Sequence, residues 1–253
     1  MISAKVFLSL CVCAIIVHAK PQVSYYPDNA TDGIFDPVKV ALETLTDLVR
    51  NAVNEALLTF ENLIRDILNV AQQISNDAFS QVTKIGGGFI EQIDKLVAEA
   101  TGLGVDISDC VDEAVNQINA LENRVSSTIG ACINIEVDTA LRFLNDSVNE
   151  VNATLGQVED LVVDLANCVD VFILEIPVCV AGVSAKVVVA TAELPLRVAN
   201  IVASAVSTVQ TFATTLGSCT TGTISSMTQQ GADIVNDVTT CANNKMHNAA
   251  HIK

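Results

Sequence analysis

The chain of 253 residues contains no tryptophan, two tyrosines and three histidines, and its 13 lysines and arginines face 29 aspartates and glutamates. Each shortage removes a class of function. Without aromatic platforms there is little on which nucleic-acid bases can stack. A formal net charge of −16 repels nucleic-acid phosphates and anionic membrane surfaces alike, so no nucleic-acid partner is expected. Of the histidines only His247 and His251 lie outside the first nineteen residues, both near the C-terminus. A Ser/His/Asp or Cys/His centre would need one of them in a rigid pocket, and no enzyme activity and no catalytic residue are expected. Spaced four apart, the two imidazoles lack a third ligand, so no metal or other cofactor is expected either. The pairs Asp109/Glu113 and Glu159/Asp160 read as solvated helix faces. Gly86-Gly87-Gly88 has no strand before it and no Gly-Lys-Ser/Thr after it, which removes a phosphate loop and leaves a hinge.

What is present begins with a leader. Met1 to Ala19 has a lysine near its start, an apolar run from Val6 to Val17 and small or apolar residues at Val17 and Ala19, the three parts of a secretory signal peptide. The run is too short to span a bilayer. Cys11 and Cys13 depart with it, leaving Cys110, Cys132, Cys168, Cys179, Cys219 and Cys241. An even cysteine count in an exported chain predicts three disulfides and an extracellular location.

Residues 20–36, with Pro21, Pro27, Gly33 and both tyrosines, read as an irregular segment, ended by Asp36 as an N-cap and Pro37 in the first helical turn. The region 37–104 is helical. From Val38 to Ile85 there is no glycine or proline, and apolar residues recur at 38, 41, 45, 48, 52, 56, 60, 63, 67, 71, 74, 78, 82 and 85, a mean period of 3.6. The triple glycine is expected to end this helix, with a short helix from Phe89 to Thr101 and a second break at Gly102 and Gly104. The next helix starts at Asp106 or Ser108 as cap and continues the stripe through 107, 111, 114, 118, 121, 125, 129 and 132, then 141, 144, 148, 151, 155, 158, 162 and 165. Val169 to Gly182, with Pro177, is the turn. The return arm carries 198, 202, 205, 209, 212, 216, 219, 224, 227, 231, 234, 238 and 241, with Pro195, Gly217, Gly222 and Gly231 expected to soften it. Its uncharged run from Val198 to Ala232 is interrupted by Ser and Thr every few residues, which argues against a transmembrane anchor. Residues 246–253 read as a flexible tail.

The six cysteines are nested. Cys110/Cys241 and Cys132/Cys219 share the midpoint 175.5, and Cys168/Cys179 centre at 173.5. Cys110 to Cys132 and Cys219 to Cys241 each span 22 residues, about 33 Å along a helix, far beyond the reach of a disulfide. A hairpin turning near Pro177 instead sets mirror partners opposite one another. The predicted bridges are Cys110–Cys241, Cys132–Cys219 and Cys168–Cys179, one among the many pairings six cysteines allow. The fold class is all-α: an elongated disulfide-laddered antiparallel hairpin with an additional long N-terminal amphipathic helix. Broken at Gly130 and near Gly217, the same pairs fit a compact four- to five-helix bundle.

This C-x21-C, C-x10-C, C-x21-C framework over roughly residues 105–245 resembles the TsetseEP domain of secreted insect proteins. The resemblance implies an insect extracellular or gut-type setting and no enzymatic activity. Three sequons, at Asn29, Asn145 and Asn152, mark candidate glycans. Asn145 and Asn152 are seven apart, so glycans there would stand on one side of the hairpin and a third helix could then pack only on the other. The expected function is a secreted non-enzymatic structural or interaction protein, with an unknown protein or an apolar ligand as partner. The alternative is an extracellular carrier of lipid or another hydrophobic ligand.

Overall fold

The computed structural model describes residues 32–250. They form three helices: α1 (Asp32–Gly102), α2 (Ser108–Asn167) and α3 (Ile176–Ala250). At about 1.5 Å per residue their lengths are roughly 105, 90 and 110 Å. Short connections reverse the chain twice, so α1 and α3 run parallel with α2 antiparallel between them. Each helix packs against the other two. The described residues thus make three continuous helices, not the four or five of the compact alternative.

The α1–α2 reversal is built by glycine. Gly104 adopts φ of +73°, a left-handed conformation that side chains resist, while Val105 N–H bonds the Ala100 carbonyl at 2.9 Å and Gly104 N–H that of Thr101 at 3.0 Å. This is the Schellman pattern, and Ala100 and Val105 share the apolar cluster beside it. At the start of α2 the N-cap position is held by Ile107, which makes no side-chain cap bond, so neither Asp106 nor Ser108 is the cap. The Asp106 carboxylate, one residue before it, accepts the Ser108 N–H at 2.9 Å and so satisfies a first-turn donor. The second reversal occupies residues 168–175. Pro177 is the second residue of α3, where a missing N–H costs nothing, so the turn closes well before Gly182.

Three expectations about breaks are corrected. α1 starts at Asp32, so Asp36 is not its cap, and Pro37 lies inside the helix at the cost of one bond to Gly33. The triple glycine does not end α1. A Cβ on Gly86 would come within 2.7 Å of Glu122 Oε2, and one on Gly231 would run into the buried ring of Phe89. Glycine at position 231 therefore lets α3 approach α1 closely, whereas at Gly86 only the flexible end of the Glu122 side chain would have to move, and the surrounding packing holds α1 helical through Gly87 and Gly88. Tertiary burial outweighs the loss of about 1 kcal/mol per glycine. Likewise α2 passes through Gly130, and α3 passes through Pro195, Gly217, Gly222 and Gly231. Finally, the expected tail is helical to Ala250, with Met246 half-buried against the cluster of Ala100, Ile107, Cys110 and Ala242.

The buried seams keep the 3.6 period but shift in places. Early α1 buries Leu42, Val49 and Val53, in phase with Phe35, Val38 and Leu45, and leaves Ala41 and Leu48 exposed. Distal α2 buries Ile133, Val137, Ala140, Ser147, Thr154 and Leu161 in place of Leu141, Val148, Leu155 and Val162. The buried hydroxyls are satisfied within the helix: Ser147 donates to the Phe143 carbonyl at 2.9 Å and Thr154 to that of Val151 at 2.6 Å. In α3 the seam takes Thr220 and Ala242 where the half-buried Cys219 and Cys241 were expected. The main core runs through all three helices and includes Leu45, Phe60, Ile67, Leu121, Ile129, Leu144, Leu165, Leu216 and Met227. Full burial of each such side chain contributes about 1.5–3 kcal/mol.

Candidate functional site

The covalent ladder joins α2 to α3. Cys110 is bonded to Cys241, Cys132 to Cys219 and Cys168 to Cys179, with Cα–Cα separations of 5.9, 6.7 and 5.6 Å. Most of these cysteines stand beside the seam because a bridge must reach sideways to the neighbouring helix, whereas a seam position points at the bundle axis. The first two bridges share one antiparallel register; the third, across the turn, is offset by about one helical turn. α1 carries no cysteine and is held without a covalent bridge.

Beside Cys110–Cys241, Lys245 of α3 donates to Asp109 of α2 and holds the Asp109 carboxyl below its usual value of 3.8. Asp106 is lowered too, first by the Ser108 N–H and then by the Ser108 side chain. This group locks the start of α2 to the end of α3. Next to it a depression of about 460 Å³ is lined by Val97, Thr101, residues 104–108, Val111 and Asp112. The two carboxylate pairs are not assembled for proton transfer: Asp109 is engaged by Lys245, Glu113 accepts a hydrogen bond from Gln117, and Glu159 and Asp160 are exposed. Among the described residues no group of three or more His, Cys, Asp or Glu converges as for a metal. His247 is exposed on the last turns of α3, while His251 lies outside the described residues.

Asn145 and Asn152 are both exposed on α2. Each follows a core residue, Leu144 and Val151, as Glu122, which meets Thr83 of α1, follows Leu121. Asp164 and Glu150, which bind Lys186 and Arg197 of α3, instead precede core residues. The sequons thus border α1, on the side where glycans were expected to leave no room for a third helix. Their hydroxyl residues, Ser147 and Thr154, are the two buried polar residues of α2. The Asn29 sequon and residues 1–31, including the expected signal peptide, lie outside the described residues.

Apolar side chains are exposed most densely where α2 turns into α3. Val169 is 41% exposed, Phe172 68%, Ile173 67%, Leu174 78% and Val178 74%. Sequence reasoning took this run as a turn and missed that the bundle leaves it uncovered. α3 is also long and apolar enough to cross a membrane by length and composition, its best 18-residue window having a mean hydropathy of 1.6 with 22% of it buried. That observation sits against the expectation of no transmembrane anchor. No protein-family model matches this chain, and neither a curated protein nor a solved structure is significantly similar to it.

Proposed function

We propose that the chain is a secreted, non-enzymatic helical protein with a structural or interaction role, exported behind residues 1–19 and working in an insect extracellular or gut-type setting. The observation that carries an interaction role is the exposed apolar run over residues 169–178, the turn and the first residues of α3, presented at the end of an acidic helical bundle whose α2 and α3 are tied by three disulfides. Large uncovered apolar patches mark interaction surfaces, and disulfides favour an oxidising compartment. Kinship with TsetseEP-domain proteins belongs to the same reading and is supported by the spacing of the six cysteines. The full-length chain expressed in insect cells is expected in the medium, beginning at Lys20 and carrying glycans at Asn145 and Asn152. Retention inside the cell with Met1 intact sinks the secreted reading.

The apolar window of α3 favours a second reading, a carrier of lipid. Protein recovered natively from the medium would then contain lipid in stoichiometric amount. A membrane-crossing role ranks below both, because Cys132–Cys219 and Cys110–Cys241 fasten α3 to a helix studded with carboxylates, which are costly in a bilayer. Resistance to alkaline extraction from membranes would reverse that ranking.

A further inference from the structure

The first eight turns of α3 carry a second apolar seam, on the side facing away from α1 and α2. Ile176, Val180, Val183, Val187, Leu194, Val198 and Ile201 enter the core. Val178, Gly182, Ala185, Val189, Ala192, Leu196, Ala199 and Ala203 are all exposed, and from Val178 to Ala203 they follow strict four-three spacing. Val178 is 74% and Leu196 64% exposed. Four-three spacing is the signature of a helix that expects a helical partner.

We propose that this face binds a second copy of the chain, α3 against α3 in antiparallel orientation about a two-fold axis between residues 190 and 191. The inference goes beyond the reading above and does not rest on it. In that register Val178 meets Ala203 of the second copy, Gly182 meets Ala199, Ala185 meets Leu196 and Val189 meets Ala192. No large residue meets another, as close packing between facing helices requires. A parallel pairing would set Leu196 on Leu196 and Gly182 on Gly182, alternating clash with void.

Charge points to the same partner and orientation. The chain is strongly acidic, yet from Ile176 to Ala203 its only charged residues are Lys186, Glu193 and Arg197. This is a stretch along which two acidic copies can approach. Glu193 is exposed and has no hydrogen bond or ion pair among the described residues. Lys186 holds Asp164 at 2.7 Å but its side chain remains 61% exposed. In the antiparallel register Lys186 lies about 3 Å along the axis from Glu193 of the second copy, twice over by symmetry. Asn145 and Asn152, on the flank of α2 that borders α1, leave this face clear.

The seam is about 38 Å long and about 10 Å wide, roughly 400 Å² in projection. That is about half the accessible area a standard interface buries per partner. The uncovered turn at Phe172 to Leu174 reaches the level of residues 207–209 of the second copy and extends the contact. The expected dimer is therefore reversible.

Sedimentation equilibrium on the full secreted chain tests this. The weight-average mass is expected to rise toward twice the chain mass with concentration. Leu196→Glu should weaken association at least tenfold with helical content unchanged, while Leu58→Glu on α1 leaves it unaltered. Lys186→Glu should weaken it as well, and adding Glu193→Lys in the same chain should restore it. Under mild oxidation a mixture of Val189→Cys and Ala192→Cys chains should cross-link to each other faster than either does to itself. A chain that stays monomeric at its solubility limit overturns the proposal, as does preferential self-cross-linking. Monomers that float with phosphatidylcholine vesicles would assign the face to lipid and overturn it equally.

Discussion

Replacing glycines at one level of the bundle should give effects of opposite sign. A Cβ added at Gly87 or Gly88 meets nothing within 4 Å, and both lie in the interior of a continuous helix. Alanine there removes the entropic cost of ordering glycine, about 1 kcal/mol per site, so the double variant Gly87→Ala/Gly88→Ala should gain about 2 kcal/mol. For a chain of this size that raises Tm by about 4–8 °C. Gly86→Ala should gain less, because its Cβ displaces the end of the Glu122 side chain. Gly231→Ala should lose stability. Its Cβ would enter the ring of Phe89, which is only 8% exposed and packs in the apolar cluster with Ile93, Ala114 and Val235. Overpacking of this kind costs about 1–3 kcal/mol. Combining Gly231→Ala with Phe89→Leu should recover part of that loss, a coupling a double-mutant cycle resolves. Thermal and urea unfolding followed by far-ultraviolet circular dichroism, with disulfides intact, supplies every value. If Gly87→Ala/Gly88→Ala leaves stability unchanged or lowers it, the triple glycine is a hinge after all and the unbroken α1 is refuted.

Non-reducing peptide mapping should recover Cys110–Cys241, Cys132–Cys219 and Cys168–Cys179, and a Cys110–Cys132 peptide would dismantle the ladder. Cys132→Ala/Cys219→Ala, which removes the bridge with a sequence separation of 87, should cost about 2–4 kcal/mol in urea while preserving helical content. Asp109 should titrate below 3.8 by NMR and return toward that value in Lys245→Ala, since Lys245 is the first cause of its depression. A depressed carboxylate stabilises above its unfolded pKa and loses that contribution as pH falls through the folded one. Hydrogen exchange over Cys241–Met246 should therefore be pH-independent, after correction for intrinsic rates, above 3.8 and accelerate below it. Small-angle scattering from dilute Leu196→Glu protein should give a maximum dimension near 110 Å, set by the 75 residues of α3, and a globular value would rule out three full-length helices.

The helical class and the mirrored order of the cysteines were legible because each rests on spacing alone. Seam position was legible only where the apolar choice is unambiguous. At Leu48/Val49 and Ala52/Val53 two neighbours compete, and phase with distant residues decides. At Ser147, Thr154 and Thr220 a polar residue occupies the core, its hydroxyl satisfied by its own helix, so hydropathy points to the neighbouring apolar residue. The breaks misled because glycine signals both a flexible joint and a close approach. Gly231 is a close approach, which only the position of Phe89 on the neighbouring helix reveals, while the run Gly86 to Gly88 is neither joint nor close approach. The second seam of α3 was written in the sequence at Val178, Ala185, Val189, Ala192 and Leu196, but a run apolar on both faces hides one stripe inside the other.

Unequal bracing of the three helices has a mechanical consequence. Pulled by its two ends, the chain passes tension across Cys110–Cys241 and bypasses the 131 residue steps between them. At about 3.3–3.6 Å per residue that withholds roughly 450 Å of contour from extension. Only α1 and the short ends can pay out, so stretching strips one helix from a hairpin that stays shut, and recoil needs only that helix to find its groove again.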